Sequence, residues 1–88
     1  MFRIWVKKWK ENHLLEDVVI TDDSRDTRTR KIYHALDQAC LQFDLETPQW
    51  LPATIRDFKR FSRTRFTQDN FIETIDFDYL EIQIIEED

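Results

Sequence analysis

Apolar and polar residues alternate from Phe2 to Lys10: Phe2, Ile4 and Val6 fall on one side, Arg3, Trp5, Lys7 and Trp9 on the other. A period of two is the spacing of a β-strand, whose successive side chains leave opposite faces. Residues 14–21 repeat the pattern, with Val18 and Ile20 on one side and Leu15 and Val19 on the other. Glu11, Asn12 and His13 between them predict a short hairpin loop, with Asn12 suited to a positive φ. One register satisfies both faces. Setting Lys10 against Leu14 brings Val6 to Val18, Ile4 to Ile20, Lys8 to Glu16, Lys7 to Asp17, Trp5 to Val19 and Trp9 to Leu15. A slip of one residue sets Val6 against Asp17 and Lys8 against Leu15. Cross-strand pairs contribute about 0.2–1 kcal/mol each, so the first register is favoured.

The period then lengthens. Asp22, Asp23 and Ser24 are capping residue types. Ile32, Tyr33, Leu36, Ala39, Cys40 and Phe43 follow at helical spacing, with Lys31, His34, Asp37, Gln38 and Gln42 opposite. The spacing predicts a helix over 25–44. Residues 47–52, which include Pro48 and Pro52, read as extended chain with room for a short edge strand. Ile55, Phe58 and Phe61 predict a short helix over 53–61, and 62–70 reads as polar, basic loop with a little strand. Residues 79–86 form a last strand, with Leu80, Ile82 and Ile84 on one face and Tyr79, Glu81, Gln83 and Ile85 on the other.

Hairpin, long helix, extended piece, short helix and final strand predict a two-layer α+β domain, one helix covering one sheet face. The final apolar strand is expected beside the first. This element order resembles the β-grasp, or ubiquitin-like, architecture, which implies a mixed sheet. A ferredoxin-like or other split α+β sheet is the alternative. The stretch from Phe66 to Asp88, FTQDNFIETIDFDYLEIQIIEED, also resembles small uncharacterised proteins of Gram-positive bacteria; that resemblance implies a bacterial setting and no activity.

Composition narrows the function classes. A chain of 88 residues, 41% hydrophobic and 35% charged, fits a single folded domain, and its seven Phe, three Trp and two Tyr supply large apolar areas for a small core. It has no glycine. P-loops, dinucleotide fingerprints and nucleophile elbows all depend on glycine, so none is written here. The single cysteine excludes an internal disulfide, no apolar run reaches the length of a membrane span, and the alternating start is unlike a signal peptide. A cytoplasmic protein is the expectation.

Candidate chemistry is sparse. No Cys-x-x-Cys or His-x-x-x-His spacing occurs, and Glu73, Asp76 and Asp78 offer too few ligands for a hard cation. Neither a metal nor a cofactor is expected. Cys40 falls on the predicted core face and His34, six residues earlier, on the polar side, which separates them as a nucleophile–base pair. The reading is therefore non-enzymatic. Ubiquitin-like modifiers and sulfur carriers act through a Gly-Gly tail, whereas this sequence ends Ile84-Ile85-Glu86-Glu87-Asp88. A β-grasp here would serve another purpose, and one cysteine cannot hold an iron–sulfur cluster.

Charge and exposed apolar surface leave three candidate sites. Arg56, Lys59, Arg60, Arg63 and Arg65 are opposed only by Asp57 and interleave with Phe58, Phe61 and Phe66, a pattern compatible with nucleic acid. The net charge of −5 argues against a polyanion. Pairing with the acidic residues after Asp69, or with an acidic protein partner, is the favoured reading. Arg25 and Arg28 at the start of the long helix form a candidate anion site, set against local pairing with Asp22, Asp23 and Asp26. Finally, Trp5, Trp9, Leu15, Val19, Tyr79 and Ile85 share the second face of the sheet, which the 53–61 helix either covers or leaves open. Trp5 and Trp9, with Arg60, Arg63 and Arg65 at a polar rim, form the candidate surface for another protein or for a second copy of the chain. Nucleic acid is the alternative partner.

Overall fold

The first hairpin closes on two left-handed residues, Glu11 (φ 50°) and Asn12 (φ 65°), in a computed structural model that describes residues 1–87. Asp88, the end of the acidic stretch, lies outside the described residues. Strand β1 is Phe2–Lys10 and β2 is His13–Asp22. Two consecutive left-handed residues make the hairpin turn whose twist matches that of its strands, and it pairs Lys10 with His13. Farther along, the apolar face requires Val6 opposite Val18. The two demands differ by one residue, and a β-bulge absorbs it. The expected register holds from Phe2 to Lys8, after which Trp9 faces Leu14 instead of Leu15.

Helix α1 spans Arg28–Gln42, inside the expected 25–44. Its cap is Thr27, whose hydroxyl accepts the Arg30 N–H at 3.2 Å. Asp22 and Ser24 instead turn the chain out of β2: the Asp22 carboxylate accepts the Ser24 N–H at 2.8 Å. Hydrogen bonds from the Ser24 side chain and backbone hold the Asp22 carboxyl below its ordinary range. The inward face of α1 is Ile32, Ala35, Leu36, Ala39 and Cys40. Two residues fall outside the expected pattern. Tyr33 lies one position beyond the stripe and is half-exposed, while Lys31 is buried, its ammonium 5.5 Å from the Phe2 ring centre. Its aliphatic stem does the covering there.

Residues 47–51 form no strand; they run irregularly into helix α2, Pro52–Phe61. Buried Asn70 holds this connection by donating to the Gln49 carbonyl at 2.9 Å and to the Thr54 hydroxyl at 3.0 Å. Of the residues expected inward on α2, only Phe58 is buried, while Ile55 and Phe61 are exposed. A spacing of three falls short of a full turn by about 60° per step, so the three side chains fan around the helix.

Ser62, left-handed at φ 55°, ends α2 and starts β3, Arg63–Phe66. A short 3₁₀ turn, Gln68–Asn70, leads toward β4, Tyr79–Glu86. The sheet order is β2-β1-β4-β3. The final strand lies beside β1 as expected, but it is antiparallel to both neighbours. The mixed, β-grasp-like sheet is thereby corrected to a purely antiparallel one. The cause is β3, which arises in the stretch read mainly as loop and reverses the chain once more. β4 therefore enters where β1 ends, pairing Tyr79 with Trp9.

Both helices pack on one sheet face, giving a two-layer α+β fold. Phe2, Ile4, Val6, Phe66, Leu80 and Ile82 of the sheet share an interior with Leu36, Ala39, Cys40 and Phe58, and Val18 and Ile20 pack against it. Trp50 seals one side, edge-on to Tyr33, Phe58 and Phe66 at 4.9–6.1 Å between ring centres. With no glycine, the left-handed positions fall to Glu11, Asn12, Asp44 and Ser62. A side chain in that region costs about 1–2 kcal/mol. Ser62→Gly is expected to raise stability by roughly 0.5–1 kcal/mol, after the added flexibility of the unfolded chain is discounted. Equilibrium urea unfolding would register this as a higher midpoint; an unchanged or lower midpoint contradicts strain at Ser62.

Candidate interaction face

The strand alternation that buries Ile4 and Val6 turns Trp5, Lys7 and Trp9 to the other face, and no helix covers them. From β4 this open face receives Tyr79, Glu81 and Gln83, opposite Trp9, Lys7 and Trp5 respectively. From β2 it receives Asp17 and Val19, and from β3 Arg63 and Arg65. The question of what the 53–61 segment covers is settled by α2 packing on the core side.

These side chains organise one another. Lys7 is 7% exposed although it points away from the core. Its ammonium lies 3.9 Å from the centre of the Trp5 ring, 3.2 Å from a Glu81 carboxylate oxygen and 3.3 Å from Gln83 Oε1. The same Glu81 oxygen accepts the Trp9 indole N–H at 3.2 Å, and Asp17 accepts that of Trp5 at 2.9 Å. The Arg65 guanidinium stacks 4.5 Å from the Tyr79 ring centre, and Tyr79 lies beside Trp9. Two half-buried indoles are thus fixed in orientation by hydrogen bonds at their polar edges, with their apolar surfaces partly open.

The basic stripe divides between the layers. Arg63 and Arg65 stand on the open face, at its β3 margin. Arg60 does not: it projects from α2 beside Ile55, Arg56 and Lys59 on the helical side. Nor, among the described residues, does the stripe form an ion pair with the acidic stretch. Arg56 approaches its neighbour Asp57 at 4.0 Å, and among the described residues Arg60, Arg63 and Arg65 form no ion pair. Phe58 and Phe66 are buried and unavailable for stacking on bases.

The start of α1 is internally satisfied. Arg28 pairs with Glu87, Arg30 with Asp26 at 3.7 Å, and His34 lies 4.0 Å from Asp26. Thr27 takes one backbone donor of the first turn. Arg25 is exposed and does not join Arg28 in a common cluster of contacts.

Cys40 is buried, and burial pushes its thiol up to about 12, with the nearby Asp37 charge adding to the shift. The thiolate is the reactive form, so Cys40 is expected to resist alkylation at pH 8 in the folded chain and to react fully once urea unfolds it. Labelling followed by mass measurement decides this, and rapid native labelling contradicts the core assignment. Among the acids near the end of the chain, Asp78 has a structural use: it accepts the Glu11 N–H at 2.8 Å across the hairpin tip. At Glu73 it is the backbone N–H that is engaged, donating to the Glu46 carboxylate at 2.6 Å.

Sequence reasoning put Lys7 on the side of Trp5 and Trp9, and Glu81 and Gln83 on the side of Tyr79, but did not name them as parts of the candidate surface or join them in a network. Their phase was legible, but their meeting depends on the direction of β4. Comparison of the chain with models of protein families, with curated proteins and with solved structures finds no match. No described helix is long and apolar enough to cross a membrane.

Proposed function

We propose that the chain is a non-catalytic protein-interaction module whose contact surface is the open sheet face around Trp5, Trp9 and Tyr79. One observation carries the reading: aromatic side chains stand on a face that neither helix covers, held in fixed orientations by Lys7, Glu81 and Asp17. Oriented, low-entropy aromatic anchors flanked by arginine are the composition of energetic centres in protein interfaces. Arg63 and Arg65, without ion pairs among the described residues, favour a partner that offers carboxylates beside an apolar contact.

A nucleic-acid role is less well supported. The Trp5 ring is already capped by Lys7, and carboxylates of Asp17 and Glu81 sit at the edges of both indoles, where a phosphate backbone would be repelled.

A photo-crosslinking residue placed at Tyr79, and for comparison at Leu41 on the outer side of α1, tests the surface in the cells that make the protein. A discrete protein adduct from position 79, absent from position 41, supports the reading. No adduct from position 79, or a nucleic-acid adduct that salt abolishes, overturns it.

A further inference from the structure

The two free edges of the sheet carry opposite charge. β2 forms one edge and β3 the other. β2 is ten residues long, contains neither lysine nor proline, and exposes Leu14, Leu15 and Val19. Folded chains usually shield an edge of this length, because its unpaired N–H and C=O groups template another strand. Its acids are Glu16, Asp17 and Asp22, of which Glu16 is paired with Lys8 at 2.7 Å and Asp22 is used in the turn to Ser24. β3 is short and presents two arginines, Arg63 and Arg65.

The backbone geometry of the edges also matches. The Ile84 N–H donates to the Ser62 carbonyl, so Ser62, Thr64 and Phe66 bond toward β4, and Arg63 and Arg65 turn their N–H and C=O groups outward. The Asp78 N–H donates to the Trp9 carbonyl, so the odd-numbered residues of β1 bond toward β4 and the even-numbered ones toward β2. On β2, Asp17, Val19 and Thr21 therefore turn their backbone groups outward. On both edges the outward-bonding residues carry their side chains on the open face. β3 runs parallel to β1 and β2 antiparallel to it, so β3 of one copy meets β2 of another as antiparallel strands with all helices on one side. A groove of about 370 Å³ beside β3, lined by Asp57, Phe61, Arg63 and Arg65, leaves that edge accessible.

We propose that the chain associates head to tail with copies of itself, β3 of one copy adding to β2 of the next. Arg65 then faces Asp17 of the second copy, and Arg63 faces its Val19. The Arg65 guanidinium stacks on Tyr79 through its flat face, which leaves N–H donors at its rim for a carboxylate. Such a contact repeats, so assembly continues past the dimer into a ring or filament. The contact runs along the strand edges and draws Arg63, Arg65 and Asp17 from the margins of the open face assigned above.

Sedimentation velocity of the full chain at low salt, up to about 1 mM, tests this in the range where small interfaces associate. The wild type is expected to form species larger than a dimer, dispersed by salt. Arg65→Glu and Asp17→Lys are each expected to weaken association roughly tenfold or more, with circular dichroism unchanged. Mixing the two variants in equal amounts restores association, because each reversed edge then meets a complementary one. A monomeric wild type overturns the proposal. So does assembly that stops at two copies or ignores Arg65→Glu, which indicates a two-fold β2–β2 contact, and so does failure of the mixture to recover.

Discussion

Leu36→Ala is expected to remove about 3–5 kcal/mol of stability, much of what a chain of this length has. Leu36 is 1% exposed and sits where α1 meets the sheet, among Ile4, Val6 and Ile82. Truncation removes its transfer energy and leaves a cavity that the rigid sheet cannot collapse to fill. A domain of this size is stable by roughly 4–13 kcal/mol in all. The urea midpoint is therefore expected to fall by about a quarter or more, and at the lower end of that stability range the variant is partly unfolded near physiological temperature. Leu41→Ala, on the same helix but 83% exposed, is the control, with an expected change within about 0.5 kcal/mol. Similar losses from both substitutions contradict the packing of α1 through its Leu36 face.

The second large effect concerns the open face. Glu81→Ala leaves the Lys7 ammonium nearly enclosed between Trp5 and β4, with Gln83 as its remaining hydrogen-bond partner and Asp17 opposite it on β2. Breaking a buried pair from one side costs about 3 kcal/mol or more, because an uncompensated charge stays behind. Removing both charges is different. Lys7→Met with Glu81→Leu keeps apolar volume beside Trp5 and is expected to fall within about 1 kcal/mol of the wild type. Urea unfolding of the wild type, Lys7→Met, Glu81→Leu and the double variant completes the cycle, with Glu81→Ala measured beside it. A double variant as unstable as Glu81→Ala contradicts the pairing. A Glu81→Ala variant as stable as the wild type contradicts the enclosure of Lys7.

Side-chain alternation carried much of this fold. The opposition of Val6 to Val18, and of Ile4 to Ile20, followed from matching faces and charges, because a slip of one residue inverts every side chain. The departure at Trp9 followed from turn geometry, which a pairing argument does not contain. The direction of β4 was not legible: Leu80, Ile82 and Ile84 share a face whichever way the strand runs. That direction decides which β4 residues meet Lys7, so the network of Lys7, Glu81 and Gln83 lay outside the reach of pattern reasoning, while the placement of Trp5 and Trp9 did not. Arg60 was misplaced for a related reason. Its neighbours in sequence, Arg63 and Arg65, lie on a strand beyond the break at Ser62, so charge clustering along the chain does not mean clustering in space. On α1, Lys31 and Tyr33 differ from their expected sides because a long lysine stem covers an aromatic ring more fully than pattern rules allow.

Nuclear Overhauser contacts from the indole protons of Trp5 and Trp9 test the central claim of an uncovered aromatic sheet face most directly. The account predicts contacts from Trp5 to Lys7 and Val19 and from Trp9 to Tyr79, together with antiparallel contacts between Val6 and Ile82, and none from either indole to residues of α1 or α2. Contacts joining Trp5 or Trp9 to Ala39, Phe58 or any other helical residue contradict it.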